Sequence, residues 1–333
     1  MRARALHFTD ADALVWTMKV PSRLALIAAF AAVYVIWGST YLGIRFAIES
    51  IPPLLMAGTR YLSAGLILYA LARWQGAPRP APTSWRPAAI IGALLLLGGN
   101  GGVTVAEQYV DSGLAAVVIA TVPIYIALLG WISGSAPRPT PIIWLGLAGG
   151  FAGVGILLAP ALTLGATAHP HALAGILLLL FSAFAWSAGS LYSRRAKSAP
   201  SPFLASGQQM ICGGGLVLLV ALARGEWQKF DPQRVTLLSL GAWIYLVLIG
   251  AIVGFSAYIW LLRHCDPAKV ATYAYVNPIV AVFLGAVFAG EKLTARTVVA
   301  ATLIIGSVAL VITADQWKAR TMAALPPAST AVD

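Results

Sequence analysis

Charge is scarce in this chain. Only 10% of its residues are Asp, Glu, Lys or Arg, with 11 acids against 22 bases. Soluble proteins carry about 25% charged residues, so a water-soluble domain is excluded. Catalytic patterns are missing too. There is no Gly-x-Ser-x-Gly, no His-Glu-x-x-His, no Gly-x-x-x-x-Gly-Lys-Ser/Thr and no pair of carboxylates within an apolar run. A membrane hydrolase and an ATP-driven pump are both disfavoured on that ground. Cysteine is nearly absent. Cys212 lies inside an apolar run and Cys265 at the end of another, at different expected depths, so no disulfide is implied. Histidine is rare, and His169-Pro-His171 has no further ligand nearby, so no metal and no cofactor is expected.

Apolar sequence is abundant. Of the 333 residues, 59% are hydrophobic. Backbone in lipid must satisfy its own hydrogen bonds, so apolar runs of about 20 residues read as spanning helices. Ten are predicted, at 24–46, 53–73, 87–107, 111–133, 141–160, 171–193, 203–223, 236–262, 267–290 and 295–314. The fold class is an all-α integral membrane protein. The loops are short and marked by proline, as at Pro52-Pro53 and Pro200/Pro202. Merging the third and fourth spans would give nine, but Asp111-Ser-Gly is a helix-start signal. The first run is too long for a cleavable signal. Residues 1–21 read as a tail, within which Met18 is a second candidate start. The net charge of +11 follows topology rather than nucleic acid, for which no partner role is read. With both termini cytoplasmic, 15 Lys/Arg fall on inner segments and 6 on outer ones, the sense expected of a plasma (inner) membrane protein.

The chain repeats itself. A shift of 155 carries Asp111, Ala116, Pro123, Ile124, Leu129 and Gly130 onto identical residues, Asp266 to Gly285. A shift of 149 carries Trp37, Leu42 and Arg45 onto Trp186, Leu191 and Arg194, and Pro53, Leu55, Gly58 and Gly65 onto Pro202, Leu204, Gly207 and Gly214. Each half holds five spans. Five is odd, so the second half enters from the opposite side, as an inverted-topology repeat. Secondary transporters recur on that plan, with the substrate site near the midplane between the repeats.

Several stretches carry a family likeness: Trp37-Gly-Ser-Thr-Tyr41, Gly58-Thr-Arg60-Tyr, Gly98-Gly-Asn100-Gly, Thr104-Val-Ala-Glu107, Ser112-Gly-Leu-Ala-Ala-Val-Val, Ala271-Thr-Tyr-Ala-Tyr-Val-Asn-Pro278 and Gly290-Glu291. As an ordered set they resemble the EamA-type ten-helix exporters of the drug/metabolite transporter superfamily, over about residues 22–315. The resemblance implies one repeat at 22–160, a second at 171–314, a cytoplasmic tail at 315–333, and export of small metabolites or drugs. One departure is visible. Glu291 has no counterpart in the first half, where Ala136 stands, so that glutamate is not needed twice.

Arg60 is the sharpest site candidate. It lies seven residues after Pro53, about 10 Å along a helix. Charge at that depth is costly and faces a cavity by default. Its guanidinium could fork onto a substrate carboxylate, or lock the fold by pairing with backbone carbonyls or Glu107. Asn100, among four glycines, marks either a helix break or a close helix contact. Trp37 and Trp186 are read as cavity or core rather than interfacial anchors, and Tyr41 belongs with them. Pro123 and Pro278 remove helix hydrogen bonds and kink. Tyr273 and Asn277 share a face, as do Thr121 and Tyr125 in the other half. Gln209 is the repeat partner of Arg60 and is expected in the same cavity. Glu107 either couples an ion, ends its helix as a solvated charge, or pairs with Arg60. Together these point to a secondary exporter working by alternating access on an amino-acid-like or drug-like molecule. A passive channel and a lipid-modifying membrane enzyme are the rival classes. The expected partners are a small-molecule substrate and membrane lipid, with the oligomeric state open and a monomer admissible.

Overall fold

The apolar runs fold as helices. The computed structural model describes residues 21–136, 138, 140–163, 171–265, 270, 271, 273–291 and 294–324, and no strand occurs among them. The helices are α1 (Arg23–Ala47), α2 (Pro53–Trp74), α3 (Pro82–Ala106), α4 (Ser112–Ile132), α5 (Pro141–Thr163), α6 (Ala172–Arg195), α7 (Pro202–Ala223), α8 (Leu237–His264), α9 (Tyr273–Phe288) and α10 (Ala295–Ala324). Seven of them, α1 to α4 and α6 to α8, are long and apolar enough to cross a membrane. Shorter apolar stretches, Pro141–Gly150, Val276–Phe288 and Ala295–Ser307, stand where the fifth, ninth and tenth spans are predicted. Helix α10 continues past the predicted span end at 314. Met18, His169 and Asp266 lie outside the described residues.

The helix starts follow local chemistry. Ser22 accepts from the Ala25 amide, Ser201 from Leu204 and Thr236 from Ser239. Such caps satisfy donors that a helix cannot satisfy itself. Two starts are capped from far away instead. Pro52 has no side chain for the start of α2, and the Glu226 carboxylate accepts from the Leu55 amide at 2.9 Å. Asp111 sits at the start of α4, but its side chain does not cap; it pairs with Arg45 at 3.6 Å. Glu291 takes the capping role, accepting from the Ser112 amide (3.0 Å), the Ser112 hydroxyl (2.6 Å) and the Gly113 amide (3.1 Å).

Three helices carry wide turns of the i→i+5 type, at Ala32–Ile36 in α1, Gly92–Gly101 in α3 and Leu246–Phe255 in α8. A shift of 154 superposes the last two ranges, close to the repeat offset read from sequence. The glycine-rich segment of α3 widens and does not break. It makes the close helix contact that is the other expectation: a Cβ on Gly98 would stand 2.9 Å from the Ala185 Cβ, and one on Gly99 would stand 2.9 Å from the Trp186 ring. Helix α4 does break. Its first segment ends at Ile119, and Pro123, which has no amide proton to give, enters the second segment at Val122–Ile132. Pro278 sits inside continuous helix.

Helices α2 and α7 cross antiparallel on repeated glycines. A Cβ on Gly65 would stand 2.7 Å from the Ile211 nitrogen, and one on Gly214 would stand 2.5 Å from the Leu62 nitrogen. Backbones this close gain dispersion contact, the main attraction left when lipid is as apolar as the helices. Outward-facing Leu66, Phe181, Leu219 and Leu248 remain exposed, as a lipid-facing surface requires.

Candidate functional site

A small cavity lies where α1, α2, α3, α4, α6 and α9 converge. It encloses about 50 Å³ and is lined by Trp37, Tyr41, Arg60, Asn100, Trp186, Tyr273 and Asn277. The wide turns of α3 and α8 both serve it. That of α3 brings Gly99 and Asn100 to the wall. That of α8 supplies two carbonyls four residues apart: Leu246 accepts from Arg60 Nε at 3.1 Å, and Gly250 accepts from Trp37 Nε1 at 3.3 Å.

Arg60 is 2% exposed. Its guanidinium lies 4.7 Å from the Tyr61 ring centre, a cation–π contact. Only Nε has a backbone acceptor. Nη1 is buried and has no hydrogen-bond partner among the described residues. The group is thus anchored at Nε by a backbone carbonyl, one form of the lock expected from sequence, while Nη1 stays without a partner among the described residues.

Aromatic rings form the opposite wall. The two repeat-related tryptophans touch: Trp37 and Trp186 meet edge to face, 5.4 Å apart at 84°. Trp186 donates to the Tyr258 hydroxyl at 3.1 Å, and that hydroxyl also bonds Ser190 at 2.7 Å. Tyr273 packs its ring against Trp37 at 5.5 Å. Edge-to-face pairs prefer this spacing, so the wall is preorganised. Asn277 donates to the Tyr34 and Tyr273 carbonyls at 2.9 and 3.2 Å in the amide orientation that satisfies it.

Three sequence candidates lie elsewhere. Thr121 is buried and gives its hydroxyl to the Val118 carbonyl at 2.7 Å, closing the break in α4. Tyr125 stacks edge-on with Phe184. Gln209 is 1% exposed, and its backbone carbonyl lies where a Cβ on Gly92 would meet it, between α7 and α3 rather than at the cavity. Gln209 stands seven residues after Pro202 in α7, as Arg60 stands seven after Pro53 in α2, yet of the two it is Arg60 that lines the cavity. Sequence reasoning passed over Thr40, Ile44, Val103, Ile119 and Ser182, which complete the wall. Spacing could have found two of them: Thr40 lies three residues from Trp37, and Ser182 four from Trp186, on the same helix faces.

Glu107 stands one residue beyond α3 and is 2% exposed. It is not a solvated end charge. Nor does it pair with Arg60: neither of its oxygens has a hydrogen-bond partner among the described residues. It borders a second, more open hollow of about 320 Å³ shared with Arg45, Glu49, Tyr109 and Asp111. No cluster of metal-binding side chains occurs among the described residues.

Family comparison decides what this architecture belongs to. The pattern of the EamA-like transporter family matches residues 23–159 and again 173–313. The chain belongs to the EamA-like transporter family. It is 39% identical over 295 residues to the inner membrane transporter YedA of Escherichia coli K12, a match covering 88% of this chain and 92% of YedA. The transporter YvbV of Bacillus subtilis is 27% identical over 293 residues, covering 87% of this chain and 92% of its own length. A crystal structure of a protein 18% identical superposes with a TM-score of 0.62, over 87% of this chain and 98% of that one, and speaks for the fold alone. EamA members and these relatives are transporters rather than enzymes.

Proposed function

We propose that this chain is a secondary transporter that exports small, amino-acid-like metabolites or drugs across the inner membrane by alternating access. The observation that carries the reading is the buried guanidinium of Arg60, anchored at Nε with Nη1 unpartnered at an aromatic cavity. A carboxylate docking there would supply the missing acceptor in a charge-assisted bond. The two tryptophans would cover the apolar part of the substrate.

Two five-helix halves, 22–160 and 171–314, in inverted topology are part of the proposal. Support comes from the wide turns repeated at a shift of 154 and from the antiparallel α2–α7 crossing. A two-fold axis relating antiparallel helices lies across them, in the membrane plane. The Lys/Arg asymmetry favours cytoplasmic termini. A space of about 50 Å³ holds only a few water molecules. That fits a closed conformation, and saturation of exchange is what separates a carrier from a channel.

The test is counterflow in proteoliposomes with radiolabelled amino acids and cationic drugs. Saturable exchange is expected, with R60Q strongly reduced and R60K restoring little, because lysine lacks the planar fork. Exchange that never saturates would instead identify a channel. Normal activity per folded R60Q molecule, with lower folded yield, would reduce Arg60 to a lock.

A further inference from the structure

Glu107 is a buried acid whose arrangement the cavity does not explain. A buried carboxylate without a donor at either oxygen is rare and costly. Its surroundings are mixed. Helix α1 contributes Tyr41, Arg45 and Glu49, α2 contributes Arg60, and the residues before α4 contribute Gln108, Tyr109 and Asp111. The His171 ring packs on Tyr109 at 5.4 Å. Glu291 approaches from the end of α9. Burial opposes a charge on Glu107, Glu291 adds negative potential, and Arg45 and Arg60 add positive potential. Glu107 borders the open hollow, Arg60 borders the cavity, and the two lie within electrostatic reach of each other.

We propose that Glu107 is a proton-binding site of the transport cycle, and that it takes its proton together with a carboxylate-bearing substrate held by Arg60. This rests on the Arg60 reading above. The reasoning is electrostatic. Empty, Arg60 places a positive charge near Glu107 and favours its ionised form. A substrate carboxylate on Arg60 cancels that charge, so the proton then binds Glu107 more tightly. Linkage is reciprocal: a proton on Glu107 removes the carboxylate that competes for Arg60, and substrate binds more tightly. The proton enters from solution through the hollow onto a Glu107 oxygen. It leaves from that oxygen, as the substrate leaves Arg60, when the cavity opens to the other face. One proton therefore moves with one substrate in the same direction, so net export requires an outward substrate gradient that outweighs the inward proton gradient.

The experiment is uptake of a mixture of radiolabelled neutral L-amino acids into proteoliposomes, with a trapped pH-sensitive dye. Lowering external pH from about 7.5 to about 5.5 should accelerate uptake at least about fivefold, the low end of ordinary coupling between sites. The dye should report acidification in step with uptake. E107Q should give a flat pH profile, whatever its rate. D231N, at an exposed carboxylate in the segment between α7 and α8 and away from the hollow, should behave as wild type. Acceleration by acid together with a flat E107Q profile supports the proposal. A flat wild-type profile, slowing by external acid, or an E107Q profile as steep as wild type overturns it. Should E107Q not fold, E107D must displace the midpoint of the profile, and an unmoved midpoint overturns the proposal equally. Absence of counterflow for every probe would sink the transporter reading and this inference with it, whereas counterflow without pH dependence sinks the inference alone.

Discussion

Gly214 and Gly215 are neighbours on α7, and replacing each with alanine should give opposite results. Both substitutions add one methyl group in a helix, and both gain about 1 kcal/mol of intrinsic propensity relative to glycine. Their surroundings differ. A Cβ on Gly214 would stand 2.5 Å from the Leu62 nitrogen, 3.0 Å from the Leu62 Cα and 3.0 Å from the Tyr61 carbonyl carbon. All three are backbone atoms, so no side chain can rotate away and α2 must shift bodily. A Cβ on Gly215 meets nothing within 4 Å. The propensity gain cancels in the comparison and leaves the overpacking cost, about 1–3 kcal/mol. Thermal unfolding of the two variants in the same detergent reads the difference. G214A should melt several degrees below G215A, and G215A at or above wild type. The magnitude follows from α2–α7 contact alone. Equal melting temperatures would refute the close crossing, and with it the geometry that the inverted arrangement rests on.

Three further outcomes are expected. E291A should lower stability by about 1–3 kcal/mol, because the Ser112 and Gly113 donors lose a charged acceptor, and E291Q should recover part of that in the same melts. E226A should act similarly but more weakly at the start of α2, where one donor is served; a loss exceeding that of E291A would contradict the count of bonds. Exchanging the charges of Arg45 and Asp111, which are 36% and 57% exposed at the side chain, should change the transport rate by no more than about fivefold, since such pairs contribute about 0–1 kcal/mol. A loss of several hundredfold in counterflow would show that the pair holds more than a surface contact.

The all-helical fold was legible because lipid leaves the backbone few alternatives, and apolar runs of the needed length announce themselves. The starts of α4 and α7 were legible from Asp111-Ser-Gly and Pro202 for the same local reason. The function of Asp111 was not: its position at a helix start suggests a cap, yet its side chain turns to Arg45 and leaves capping to Glu291. Nothing in the sequence says that a carboxylate about 180 positions away will arrive there. The cavity was half legible. Arg60, Asn100 and the two tryptophans stand out because each is anomalous in an apolar helix. Thr121, Tyr125 and Gln209 were equally polar and equally deep in sequence, but polar side chains in a helix can satisfy themselves on the preceding turn, as Thr121 does on Val118. Depth and polarity alone cannot separate the two fates. That takes the rotation of the helix about its axis, which the break in α4 alters.

The unequal use of acids in the two halves bears on how such a molecule could work. Glu291 joins the end of α9 to the start of α4, whereas the equivalent position in the first half is Ala136, which has no acceptor to offer. Arg45 and Asp111 meet at that same end of the bundle. Glu107 also lies there, and a shift of 154 or 155 puts Leu261 or Leu262 in its place. Both leucines are buried. The inequality lies in these two acids and not in every charge: Arg45 and Asp111 keep charged counterparts in Arg194 and Asp266, whereas Glu107 and Glu291 stand against apolar residues. Burying an acid desolvates an ion, a cost that an apolar residue at the matching position does not carry. Ionic strength varied on one side of an oriented membrane tests whether that inequality matters for transport. Salt on the side of Glu107 and Glu291 should alter the rate more than the same salt on the other side, and equal effects from the two sides would refute the asymmetry.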